Sequence, residues 1–207
     1  MAKARSEEFK SPVCRLSYAS GLFKAKAISE GGREIYTATL IFPKADRAAL
    51  EKYVADVIKA EWGDKGFERA RAGLIRSPFL AGDGKEARSK TTGDINPGLG
   101  PEVFFICAQA GKDRPPFVIW KDPNVQETET TVYSGCYGKA VLHCFAWHND
   151  KQGDGVSFGI SGFQKLREGE HLGASPADPA KYYETVEDHG DAPEETKSGA
   201  GAGALFG

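Results

Sequence analysis

The chain lacks most of what would place it in a membrane, a secretory route or a known catalytic class. No apolar run approaches the ~20 residues of a membrane-spanning helix. The first eight residues, Met1 to Glu8, carry no apolar segment after their charges, so no signal peptide is expected. There is no glycine period, and 11% aromatic residues exclude a collagen-like or wholly disordered chain. Cysteine is scarce: Cys14, Cys107, Cys136 and Cys144 form no C-x-x-C pair, and His143 beside Cys144 is not a zinc spacing. Each lies in an apolar or aromatic stretch, where a free thiol behaves as a small buried hydrophobe, so reduced core thiols and no metal are expected. There is no phosphate loop, no G-x-S-x-G and no H-E-x-x-H. The four histidines are scattered, and Asp83 and Asp94 in a Gly-rich loop have no partner. With no catalytic constellation, neither enzyme activity nor a cofactor is expected.

What is present is an uneven charge. The 207 residues carry a formal net charge of -2, but residues 182–207 hold six acids (Glu184, Glu187, Asp188, Asp191, Glu194, Glu195) against one base, Lys197. Residues 1–181 hold 26 bases and 23 acids, and residues 1–90 alone hold 18 and 12. A mildly basic body with an acidic end suggests an interaction segment or an internal decoy for an anionic ligand; a solvated tail that aids solubility fits the charge equally well.

The pattern is mainly β. Residues 1–12 are polar and end in Ser11-Pro12, and read as a flexible arm. Strands are expected at 13–19, 33–42, 102–110, 117–120, 132–147 and 156–166, from alternation and from β-branched and aromatic content. Segments 13–42 and 132–166 read as hairpins with short turns. Asp46 is placed to cap one main helix that runs to Trp62, with Leu50, Tyr53, Val54, Val57 and Ile58 at helical spacing and Gly63 as its stop. A shorter helical turn is expected over 67–72. Residues 77–101 hold five Gly and three Pro and read as a long, functional loop. The body, 13–173, therefore reads as a mostly antiparallel barrel or sandwich, with a small Greek-key barrel favoured because one helix must plug it, followed by a disordered tail over 174–207.

Alternate residues of a strand face opposite sides. Along 132–147 the even positions are small or apolar and suit a barrel interior. The odd positions include Tyr133, Tyr137, Lys139, His143, Phe145 and Trp147, aromatics interleaved with bases. Such a face can stack nucleobases and meet phosphates, although Phe145 and Trp147 also suit a second core. Arg15, on the outward side of its strand, Lys24, Lys26, Arg33, Lys44 and the pair Trp120-Lys121 join Tyr133, Tyr137, Lys139, His143 and Trp147 as candidate nucleic-acid contacts.

The order of Leu16-Ser17-Tyr18-Ala19, the strand Tyr36 to Lys44, a helix, Val132-Tyr133-Ser134-Gly135-Cys136-Tyr137-Gly138 and the segment Gly159 to Glu170 resembles a family of bacteriophage single-stranded DNA-binding proteins, formerly a domain of unknown function. The resemblance spans roughly 13–173, and Tyr-Ser-Gly-Cys-Tyr and Gln-Lys-Leu-Arg-Glu-Gly-Glu are its most specific parts. It implies a five-stranded oligonucleotide/oligosaccharide-binding (OB) barrel and sequence-tolerant binding of single strands during phage replication and recombination, in the cytoplasm of an infected bacterium. It also implies an acidic tail that meets replication proteins such as a polymerase, helicase or primase; Glu184, Glu187, Asp188, Asp191, Glu194, Glu195 and Phe206 are the tail residues at issue. The runner-up is a virion or scaffold component whose aromatic face is a protein interface. An enzyme such as a nuclease is a distant third for want of clustered acids.

Overall fold

Small residues on one side of a long strand decide the architecture. In the computed structural model, which describes residues 3–27 and 31–173, the elements in chain order are β1 (Phe9–Lys10), β2 (Cys14–Ser17), α1 (Ser20–Phe23), β3 (Lys26–Ala27), β4 (Glu34–Pro43), α2 (Arg47–Trp62), α3 (Asp64–Arg71), β5 (Ile75–Arg76), β6 (Leu80–Ala81), β7 (Val103–Gly111), β8 (Phe117–Ile119), β9 (Tyr137–Asn149) and β10 (Gly153–Arg167). Gly138, Ala140, Leu142, Cys144 and Ala146 of β9 all face inward and are buried. Opposite them β10 supplies bulk: Phe158 pairs with Cys144 and Phe163 with Ala140. Large against small fills the interior without voids. A side chain at Gly138 would overlap the Phe163 ring.

The sheet closes on itself. β9 pairs with β2, β2 with β4 and β4 with β7, all antiparallel; β7 pairs with β10 in parallel, and β10 returns to β9 antiparallel. This closed order of five strands with one parallel join is that of an OB-type Greek-key barrel. The core includes Leu16, Leu40, Phe42, Phe104, Ile106, Leu142, Phe158 and Phe163; Cys14, Cys136 and Cys144 are buried free thiols, whereas Cys107, expected in the core, is a free thiol on the outer face of β7. α2 lies between β4 and β7 in sequence and buries Leu50, Val54, Val57 and Ile58; Gly63, at φ 64, ends it.

Several expectations are corrected. The described part of the N-terminal segment is docked rather than free. Phe9 and Lys10 pair with Leu142 and Val141, Ala4 and Ser6 bond to Ala146 and Cys144, and the Phe9 ring stacks on Tyr53 at 3.6 Å. Polar composition concealed this because one buried aromatic and a row of backbone hydrogen bonds suffice. Asp46 ends a 3₁₀ turn and makes no side-chain cap bond. The strand expected from Val132 begins at Tyr137, because Gly135 at φ 121 turns the chain just before it. β2 and β4 pair as expected, but the chain between them forms α1 and β3 rather than a short turn. Within the long loop, β6 adds to β7 and Lys85–Ala87 form a 3₁₀ turn over the buried Ala87. The acidic tail, 174–207, lies outside the described residues.

Candidate nucleic-acid interface

Glycines on β10 let aromatic rings lie flat on the barrel. Trp147 is directly opposite Gly155, and His143 is opposite Gly159. A Cβ at either glycine would overlap the ring of its partner. A third ring, Phe117 at the start of β8, covers Gly162 in the same way. The indole N–H of Trp147 donates to the Ser157 hydroxyl at 2.9 Å, which fixes the ring in its plane. Phe145, opposite Ser157, lies between His143 and Trp147 on the same outer face. All three rings are half-buried.

His143 and Phe145 border an open groove of about 470 Å³, and Phe145 and Trp147 border a recess of about 370 Å³ beside the β9–β10 turn. Four cations line the groove from separate parts of the chain. Lys3 and Arg5 come from the docked N-terminal segment, Arg33 from the start of β4 and Arg114 from the turn after β7. Among the described residues one acid, Glu8, lines it, in contact with the Ser161 hydroxyl. The groove is therefore electropositive and aromatic.

His143 does not add charge. Burial first, then the neighbouring Arg5, push its imidazole down to about 4, with a lesser push from Arg114 and against an opposing pull from Glu8. It is neutral near pH 7 and brings a ring, with Nδ1 buried and unpartnered among the described residues.

A chain of ion pairs fixes the N-terminal segment. Glu61 of α2 accepts from the Ala4 N–H at 2.6 Å and from His148 Nε2 at 2.7 Å. His148 Nδ1 is 2.7 Å from Asp154, which also takes Arg69 of α3 at 2.5 Å. Carboxylates on both ring nitrogens, Glu61 first and Asp154 second, raise the His148 pKa.

The other sequence candidates are dispersed. Tyr137 lies at the far end of β9, between Arg15 (5.6 Å from its ring centroid) and Arg167 (3.7 Å). Lys139 is exposed on β9 between the two ends. Tyr133 sits in the turn before β9 and is committed to internal contacts: it stacks on His171 at 3.9 Å, and its hydroxyl meets Glu168 at 2.7 Å. Burial and then Glu168 raise its phenol pKa. Trp120 lies between Lys121 (4.5 Å) and Lys165 (4.0 Å). Lys24 is ion-paired to Glu129 at 2.9 Å, and Lys26 and Lys44 are exposed away from the groove. Of the sequence candidates, the groove gathers Arg33, His143 and Trp147 and adds Lys3, Arg5, Arg114 and Phe145. One available signal for it was the set of glycines 155, 159 and 162, which fall opposite the outward-facing residues of neighbouring strands.

A closed OB-type barrel bearing a basic, aromatic groove defines a binding module of the nucleic-acid class. The chain belongs to the family of the Enterobacter phage Enc34 ssDNA-binding protein, which it matches over residues 9–193. No curated protein matches it. Among solved structures it is similar to the single-stranded DNA-binding protein of bacteriophage Enc34 in complex with ssDNA, with 19% identity and a TM-score of 0.57, over 80% of this chain and 89% of that one. The same Enc34 protein without DNA aligns at 19% identity and 0.56, over 86% and 90%. The single-stranded DNA-binding protein gp2.5 of bacteriophage T7 aligns at 14% identity and 0.50, over 92% and 99%.

Proposed function

We propose that this protein coats single-stranded DNA during phage replication and recombination, and that the groove between the N-terminal segment and β4 carries the strand. The observation that carries the reading is the row Trp147, Phe145 and His143 along β9, two of its rings seated on glycines, with Lys3, Arg5, Arg33 and Arg114 around it. Bases stack on the rings irrespective of sequence, because every base has a π-face, and the cations meet the phosphates. Family membership supports the same reading. The protein acts as a binding module rather than a catalyst, in the cytoplasm of the infected cell; no helix among the described residues is long and apolar enough to cross a membrane. The acidic segment around Glu184–Glu195, with Phe206, contacts replication proteins.

Titration with oligo-dT, followed by tryptophan fluorescence at two salt concentrations, tests the assignment. Quenching is expected, with a log–log salt slope near -0.7 per phosphate contacted. Phe145→Ala and Arg33→Ala are expected to weaken binding, the latter with a shallower slope. A flat salt response, or equal affinity for duplex and single strand, would overturn the reading in favour of a protein interface.

A further inference from the structure

We propose that Arg15, Tyr137 and Arg167 form a second contact for the same single strand, taking a base and its phosphodiester at the end of β9 remote from the groove. The proposal rests on the groove being the single-strand site, and extends the bound strand along the barrel.

Tyr137 and Trp147 stand ten residues apart on the outer face of one strand, about 33 Å along its contour. Tyr137 is the direct cross-strand partner of Arg15 on one side and of Arg167 on the other. The two guanidiniums therefore flank its ring by register. A cleft of about 340 Å³ opens there, bordered by Val13, Pro43 and Gly98, with Asp46 as the acid on its rim. Arg15 gives its N–H groups to two carbonyl oxygens, Gly135 at 3.2 Å and Glu170 at 2.7 Å. Carbonyls orient a guanidinium but do not neutralise it. Among the described residues neither Arg15 nor Arg167 forms an ion pair. Two cations without an ion-pair partner among the described residues, Arg15 held by carbonyls and Arg167 over the ring, are the elements of a nucleotide contact.

The surface between the two ends continues the pattern. Lys139 is exposed on β9, and Lys10 of β1 is exposed opposite Val141. On the other side, the β10 partners of Lys139 and Val141 are Gln164 and Gly162, and the acid at the groove end of this stretch is Glu8, in contact with the Ser161 hydroxyl. A strand that leaves the groove at His143 meets cations spaced along β9 before it reaches Tyr137.

Length dependence tests this. Full-length protein, Arg167→Ala and Lys139→Ala are titrated with labelled oligo-dT of about 4 and about 16 nucleotides, the ends of the range for one OB barrel. Both side chains are exposed, and superimposable thermal melts establish that each variant is folded. The variants are expected to hold the short oligonucleotide within about twofold of wild type. On the long one they should lose affinity about tenfold, with a salt slope lower by ~0.7 for each phosphate released. Arg167→Lys should recover part of the loss. Equal losses at both lengths, or none at either, would overturn the second contact while leaving the groove intact. Failure of the wild type to bind either length would overturn the groove reading and the extension with it.

Discussion

The Tyr133 hydroxyl lies 2.7 Å from the Glu168 carboxylate, and this contact joins the two most distinctive segments of the chain. Around it, Lys165, 2% exposed, reaches the Thr131 carbonyl at 2.6 Å and Glu168 at 2.7 Å, under the rings of Trp120 and Tyr133. Lys165 first and Tyr133 second hold the Glu168 carboxyl below its usual range. Gly135 and Gly169 allow the two segments to touch, since a Cβ at Gly135 would overlap the Glu170 carbonyl and one at Gly169 the Gly135 carbonyl. The segments that carry the family resemblance therefore serve largely to close the barrel end: Lys165 and Glu168 among their charged residues are architectural, whereas Arg167 stays exposed.

Lys165→Ala should destabilise the fold by about 2–4 kcal/mol, since it removes a buried side chain and leaves a cavity. Lys165→Met, which restores most of the volume, should cost less. Urea midpoints of the two variants check the order. Equal costs would assign the effect to the lost ion pair and hydrogen bonds rather than to packing.

Gly155→Ala and Gly159→Ala should each cost about 1–3 kcal/mol, because the new methyl displaces Trp147 or His143 from its seat. Both should also weaken oligo-dT binding. Gly100→Ala, where nothing lies within 4 Å of the added Cβ, is the control and should stay within about 0.5 kcal/mol.

Phe9→Ala should cost about 3–5 kcal/mol, as expected for a buried aromatic, here one stacked on Tyr53. The same substitution should reduce DNA affinity, because Lys3 and Arg5 reach the groove only while this segment stays paired to β9. Unfolding and binding curves on one preparation separate the two effects. A stability like that of wild type would mean that the segment is not docked in solution.

The two groove-side histidines should act oppositely with pH. His148 has a raised pKa, so its contribution is full below the ordinary 6.5 and is lost as pH rises through the raised value. Its carboxylate partners, Glu61 and Asp154, have lowered values, so their contribution is present above the ordinary carboxylate range and is lost as pH falls. His148→Gln should therefore cost a few tenths to about 1 kcal/mol near pH 6, a modest figure for a partly exposed network. The difference should shrink as pH rises through the raised value. His143, held down to about 4, makes the fold lose stability as pH drops below 6.5, because the unfolded chain takes up the proton first. His143→Phe should flatten that acid limb. Urea midpoints across the range decide both.

Much of the barrel is legible in the sequence. The alternation from 138 to 146 marked the inner and outer faces of β9 correctly, because small residues at every second position can only line a tight interior. The helix from 47 to 62 and its glycine stop followed from periodicity. The groove was less legible. Lys3 and Arg5 stand in a polar stretch with no periodic signal, and Arg114 in a proline-rich turn; only pairing with β9 and closure of the barrel bring them to Phe145. Tyr133 fits the alternation as a surface ring, yet Gly135 turns the chain and redirects it inward onto His171.

Local sequence by itself did not show β1, β3, β5 or β6; it determined which residues of β9 face in, the barrel strands and main helix, and that a basic body carries aromatics on a β face. Those follow from near-neighbour physics: side-chain alternation, helical periodicity and turn chemistry. Only the tertiary structure decided which cations share a surface with which rings. That depends on contacts between residues more than a hundred positions apart, such as Arg5 against Phe145 and Arg15 against Tyr137, fixed by strand register and not by spacing along the chain.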